Sequence, residues 1–255
     1  MTELRVATWN LLTEHDGGAP PWAERVEVLA RHVGALAPAV LATQEGSAAM
    51  LDDLVGRLPG HRWVGEGRRG RGRDECTALV YDAAALTVLD VRHRWLSPTP
   101  LVPGSVAPGA DLPRMLTTVH LHHAGSGARF VVVGTHLDHV GEAARDLGAA
   151  LVAEELGGGP TVVLGDFNAA AGRSAPYGRL VGAGLVDALA PREREEQRRA
   201  TFVGVPGRDG ADEGQIDWLL VTPGIEVVRG WVDEGPTEGF GSDHRPVVAD
   251  LRLPS

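Results

Sequence analysis

Five times along this chain, a short apolar segment of strand length meets a carboxylate, an amide or an imidazole at its end. Leu4 to Trp9 runs into Asn10, and Ala39 to Thr43 into Gln44 and Glu45. A third segment reaches Thr135-His136-Leu137-Asp138-His139, and Thr161 to Leu164 feeds Gly165-Asp166-Phe167-Asn168. The fifth case is reversed, with Ser242-Asp243-His244 standing just before an apolar run. Apolar runs of four to eight residues with polar termini read as buried strands whose ends carry loops. Ligand and catalytic groups belong at such ends, because a rigid element holds them while the loop exposes them. The chain is thereby constrained to a strand-rich fold that gathers its strand ends.

The rest of the pattern supplies the layers. Trp22, Val26, Leu29, Ala30, Val33 and Leu36 recur at helical spacing, with Pro21 suited to a first turn and Pro38 as a stop. A second helix is expected over 48–58 and a third over 141–156, closed by Gly157-Gly158-Gly159-Pro160. Short helices are expected near 175–182 and 191–199, the latter as a solvated face of mixed charge. Further strands are expected at 76–81, 86–94, 115–122, 129–135, 215–222, 225–233 and 246–252. Strands outnumber helices, so the economical α/β architecture is two mixed sheets packed face to face with helices outside. At 255 residues, with no linker of convincing length, 1–255 reads as a single domain.

Charge and cysteine content narrow the chemistry. The net charge is −10, and a protein that grips long nucleic acid is usually basic, so such a partner is disfavoured. The one dense basic stretch, Arg68, Arg69, Arg71 and Arg73 among glycines, reads either as a solvated loop or as an electrostatic lip for an anionic substrate. Cys76 is alone, which excludes an intrachain disulfide and reads as an inert strand residue. Trp9, Trp95, Trp218 and Trp231 read as core residues. No leader pattern begins the chain, and no apolar run approaches the ~20 residues of a membrane span, so the expected location is cytoplasmic. Oxygen donors such as Asn10, Glu45 and Asp243 suit a hard cation, Mg2+ or Mn2+, whereas a zinc-binding spacing is absent.

TWNL at 8–11, QE at 44–45, THLDH at 135–139, GDFN at 165–168, IDW at 216–218 and SDH at 242–244 follow one another in an order that resembles the endonuclease/exonuclease/phosphatase superfamily, the DNase I-like and exonuclease III-like enzymes. The stretches RDECTALVYD at 73–82, RWLSPTP at 94–100 and PGS to LPRM at 103–115 are similar to a small bacterial and fungal subgroup, with Pro98 departing from the Glu usual there. The resemblance implies a four-layer α/β sandwich of the DNase I type. It also implies a Mg2+- or Mn2+-dependent hydrolase of phosphate esters, acting as phosphodiesterase or phosphatase on a small or medium-sized phosphorylated substrate. A DNA- or RNA-cleaving enzyme and a non-catalytic binding module on the same fold are the alternatives.

The residue roles come from the same resemblance. Asn10 and Glu45 would hold the metal, with Asp243 near enough to contribute. Asp166 would activate the water and Asn168 would bond the phosphate. His244 would meet the phosphate, oriented by Asp217. His136 would be a second catalytic histidine with Glu75 as its carboxylate partner. Arg114 would clamp phosphate, and Asp138 and His139 would support or contact substrate.

Overall fold

A computed structural model describes residues 3–14, 18–189, 199–205 and 214–254. Among these residues, twelve strands and four helices follow in the order β1 (Glu3–Asn10), α1 (Trp22–Leu36), β2 (Val40–Gln44), α2 (Ala48–Gly56), β3 (His61–Gly67), β4 (Cys76–Asp82), β5 (Leu86–Trp95), β6 (Met115–His123), β7 (Arg129–His136), α3 (Glu142–Ala153), β8 (Thr161–Asp166), α4 (Ala175–Gly182), β9 (Val186–Asp187), β10 (Asp217–Val221), β11 (Glu226–Val232) and β12 (Val247–Arg252). They form two six-stranded sheets, ordered β11-β12-β1-β2-β4-β3 and β5-β6-β7-β8-β10-β9. Each sheet is mixed, with one parallel pair at its centre, β1 beside β2 and β7 beside β8.

Alternation along the strands explains the layering. Val6, Val40, Ala42 and Leu251 of the first sheet face Val132, Val162, Leu164 and Leu219 of the second. The intervening residues Ala7, Leu41 and Val248 point the other way, onto Val26, Leu29 and Val33 of α1 and Met50, Leu51 and Leu54 of α2. Val133, Val163 and Leu220 likewise meet α3 and α4. Central strands covered on both faces must be apolar at every position, which is why they read as continuous apolar runs. Each such fully buried Leu or Val contributes on the order of 1.5–3 kcal/mol. The result is the four-layer sandwich that the sequence pattern implies.

Local signals hold the helices in place. The chain leaves α1 through Ala37 in the left-handed conformation, and Pro38 follows. At the start of α2 the Ser47 hydroxyl accepts the Met50 N–H at 3.2 Å, satisfying a donor the helix itself leaves free. Trp9 and Trp218 are fully buried and Trp95 nearly so, while Trp231 is only partly covered and lies beneath Arg5 and Arg229. No described helix is long and apolar enough to cross a membrane.

Two strands differ from expectation. β3 is an edge strand of half-buried residues broken by Gly65 and Gly67, so it shows neither an apolar run nor clean alternation. Those glycines are needed for contact: a Cβ on Gly67 would lie 2.2 Å from the Arg73 carbonyl oxygen. The two-residue β9 is too short to leave a sequence pattern. The helix expected at 191–199 falls almost wholly outside the described residues.

Candidate active site

Strand direction gathers the polar ends at one edge of both sheets. β1 and β2 run parallel with Asn10 beside Gln44, so Glu45 emerges next to Asn10. β7 and β8 run parallel with His136 beside Asp166. Two antiparallel strands start where these end: Asp217 of β10 stands opposite Asp166, and Met115 of β6 stands opposite His136, with Arg114 just before it. β12 starts opposite the end of β1, which brings His244 to the same edge. Residues spread over more than two hundred positions therefore share one cleft.

Asn10 joins the two sheets. Its Nδ2 donates to Glu45 Oε1 at 2.8 Å and to Asp166 Oδ2 at 3.1 Å. Its Oδ1 accepts the Leu12 N–H at 3.0 Å, and Glu45 Oε2 accepts the Thr13 N–H at 3.1 Å. Glu45 itself has φ 63°, the left-handed region that side chains seldom occupy, and such strain persists where surrounding structure imposes it.

Asp166 lies at the centre. Its Oδ1 accepts the Asn168 N–H at 2.9 Å, while Oδ2 lies 3.5 Å from His136 Nε2 and 3.8 Å from His244 Nε2. Burial and the neighbouring charge of Asp217 raise its pKa above the usual carboxylate range. His244 Nδ1 bonds Asp217 Oδ2 at 2.8 Å. Burial opposes charge on that ring, but the Asp217 carboxylate, with Asp166 and Asp243 behind it, outweighs burial and raises the His244 pKa to about 10. His136 goes the opposite way. Burial first, and then the Arg114 guanidinium, push its pKa well below 6.5, so its ring is neutral. One site thus holds a charged and a neutral imidazole.

Arg114 is buried, and burial lowers its pKa as well. Its Nη1 lies 2.9 Å from His136 Nδ1 and 3.0 Å from Nε2, and its Nη2 lies 3.0 Å from His139 Nδ1. A neutral imidazole offers a single lone pair, so this guanidinium has donors to spare for an anion in the cleft.

One expected partnership differs, and two further residues are placed in more detail. Glu75 is not bonded to His136: its Oε2 accepts from Arg68 Nη1 at 2.7 Å, and burial raises its pKa to about 7. Asp138 is buried and in a supporting position. Its carboxylate accepts the N–H groups of Val140 at 3.0 Å and Gly141 at 2.5 Å, and so builds the loop that carries His139 into α3. Asp243 stands outside the two groups whose donor atoms lie within 4.8 Å of one another, namely Glu45 with His136 and Asp166, and Asp166 with Asp217 and His244. Asn168 is in the cleft, and its Nδ2 donates to the Leu137 carbonyl oxygen at 3.0 Å.

Arg68 is part of the site. Its side chain is 12% exposed, pairs with Asp74 at 3.0 Å and Glu75 at 2.7 Å, and with Glu75, Arg114 and His136 encloses a void of about 10 Å3. The loop it starts is the solvated hairpin turn between β3 and β4, with Arg69, Arg71 and Arg73 exposed, and it is held by its own contacts: Arg69 also pairs with Asp74, and Arg73 donates to the carbonyls of Gly70 and Arg69. The available signal was Asp74-Glu75 downstream of the arginines, closing a hairpin, but it required recognising β3. Cys76 is buried beside this void, and burial pushes its thiol up to about 12, so it is inert as expected.

The profile of the Endonuclease/Exonuclease/phosphatase family matches residues 7–244. Among solved structures, an endonuclease/exonuclease/phosphatase family protein from Bacteroides thetaiotaomicron is 30% identical at a TM-score of 0.86, covering 100% of this chain and 99% of that one. A mannosyl-6-phosphatase from B. thetaiotaomicron VPI-5482 is 28% identical at a TM-score of 0.83, covering 98% of this chain and 100% of that one. The human Nocturnin catalytic domain is 20% identical at a TM-score of 0.79, covering 98% and 94%. No curated protein matches the chain.

Proposed function

This chain belongs to the endonuclease/exonuclease/phosphatase family of hydrolases, and from that premise we propose that its cleft hydrolyses a phosphate ester of a small or medium-sized molecule with the help of Mg2+ or Mn2+. The observation that carries this reading is the meeting of Asn10, Glu45, His136, Asp166, Asp217 and His244 at one edge of both sheets.

The donor set fits a hard divalent cation. Half-buried Glu45 and buried Asp166 converge beside the Asn10 amide, and carboxylates this close together and largely removed from water need either a cation or a proton. Asp217 Oδ1 is buried without a hydrogen-bond partner among the described residues, a further sign of local negative charge to be balanced. Glu45 and Asn10 would hold the ion, which when bound polarises a phosphoryl oxygen and offsets charge in the transition state. Asp166, aimed by the Asn168 N–H and Asn10 Nδ2, takes the proton of the attacking water. His244, charged through Asp217, donates to the phosphate, while Arg114 and the free side of Asn168 orient it.

A small ester is favoured over a polynucleotide because the net charge is −10 and three of the four arginines near residue 70, Arg68, Arg69 and Arg73, are engaged within their own loop. A structural neighbour named as a mannosyl-6-phosphatase supports the same substrate class. The test is hydrolysis of sugar phosphates, inositol phosphates, nucleotides, phospholipids and nucleic acids, with Mg2+ or Mn2+ and with EDTA. Turnover should require the metal and should be lost on Glu45→Gln with the fold intact. Full turnover by chelated protein sinks the reading, and preference for a polynucleotide corrects its substrate.

A further inference from the structure

Arg25 lies in the first turn of α1, outside the family motifs, and is fully buried. Each of its five N–H groups meets a backbone carbonyl oxygen. Nε donates to Pro20 at 3.0 Å, Nη1 to Leu11 at 2.6 Å and Gly241 at 3.0 Å, and Nη2 to Leu12 at 2.9 Å and Thr13 at 3.1 Å. A guanidinium is the one side chain with five donors in a fixed plane, so no other residue reproduces this set.

Two of these carbonyls belong to peptide groups whose other ends hold the site. The Leu11 oxygen shares a peptide unit with the Leu12 N–H that donates to Asn10 Oδ1. The Leu12 oxygen shares one with the Thr13 N–H that donates to Glu45 Oε2. A peptide unit is planar, so holding its C=O aims its N–H. The hold matters here because Leu12 has φ 57°, a conformation that a leucine does not keep unaided. The third anchor, Gly241, precedes Ser242, whose Oγ donates to the Asn10 carbonyl at 2.6 Å and accepts the His244 N–H at 3.1 Å. Arg25 therefore ties the loop after β1 to the loop before β12.

We propose that Arg25 is a positioning residue: from behind the cleft it aims the Leu12 and Thr13 amides at Asn10 and Glu45, and locks that loop against the segment bearing His244. Its charge polarises both peptide units, which strengthens the bonds their N–H groups make to the two side chains. The proposed consequence for turnover rests on the hydrolase reading; the placement of the loop does not.

The experiment compares full-length wild type with Arg25→Lys and Arg25→Ala, first without metal. Amide exchange at Leu12 and Thr13 should quicken by about 10-fold or more in both variants, while amides of β7 and β8 keep wild-type rates. With metal and an active ester, kcat should fall roughly 10–100-fold while KM stays within about threefold. Millimolar guanidinium should restore part of kcat to Arg25→Ala and none to Arg25→Lys, whose ammonium fills the space. Wild-type exchange at Leu12 and Thr13 in folded Arg25→Lys overturns the proposal, and so does unchanged kcat in that protein. Should Arg25→Ala not fold, Arg25→Lys decides alone. A wild type that hydrolyses no phosphate ester refutes the hydrolase reading instead, and the exchange rates still decide the role of Arg25.

Discussion

At the scale of single residues, the site works by pushing neighbouring groups in opposite directions. His136 and His244 both lie near Asp166, yet burial, and after it the Arg114 guanidinium, keeps the first neutral, while the Asp217 carboxylate keeps the second charged against burial. Charge on His244 thus depends chiefly on the Asp217 carboxylate, with Asp166 and Asp243 adding to it. Asp217→Asn should lower the His244 pKa from about 10 toward its ordinary 6.5, which moves the alkaline limb of the pH–rate profile to lower pH. Turnover should fall roughly 10–1000-fold, as loss of a charged donor generally does, and Asp166→Asn should cost more because no neighbour replaces the base. The same pairing predicts a stability trend. A group whose folded pKa exceeds its unfolded value stabilises most below the unfolded value. The His244 contribution is therefore complete below about pH 6.5 and is lost as pH rises toward 10. That loss should be blunted in Asp217→Asn. NMR titration of the His244 ring checks the first claim, and denaturant unfolding against pH checks the second. An unchanged ring pKa in Asp217→Asn would refute the partnership.

Elements matter because each functional side chain sits where a strand starts or stops. The parallel pair β7 and β8 sets His136 beside Asp166, and its spacing depends on Gly165. That glycine has φ 152°, and a Cβ there would lie 2.0 Å from the Thr135 carbonyl oxygen of the paired strand. Gly165→Ala should therefore push β8 away from β7 just where the proposed catalytic groups His136 and Asp166 leave it. A loss of at least about 2 kcal/mol in unfolding free energy is expected from the steric and backbone strain together. What remains folded should turn over more slowly, since Asp166 is displaced. Denaturant midpoints and kcat measure both effects; a variant matching wild type in each would show that the strands accommodate a methyl group.

For the whole molecule, charge separates the possible substrates. The chain carries −10 overall, and among the described residues of the proposed site the cations are Arg114 and His244, with Arg68 paired to Asp74 and Glu75. A small ester carries no condensed counterion layer to release, so its log affinity should fall only shallowly with log salt. A polynucleotide gripped along its backbone gives a slope several times larger. Measuring inhibitor or substrate affinity across a salt series separates the two, and a slope near −5 would move the assignment to nucleic acid.

Much of this protein was legible in its residue order because the relevant signals are local. Continuous apolar runs mark strands covered on both faces, and polar residues at their ends single out Asn10, Glu45, His136, Asp166 and His244, whereas Asp217 and the residue roles come from the family resemblance. β3 escaped because an edge strand with glycines at close contacts carries no such signal. Partnerships were a different matter. That Glu75 serves Arg68 rather than His136, that Asp138 is consumed by its own loop, and that Arg25 reaches carbonyls on two loops all depend on packing. Residue order determines which groups arrive at the cleft, because periodicity and strand ends are written over a few neighbouring positions. Tertiary structure alone decided which of them pair and which are charged, because hydrogen bonds are made or missed within a few tenths of an ångström and burial depends on layers contributed by distant parts of the chain.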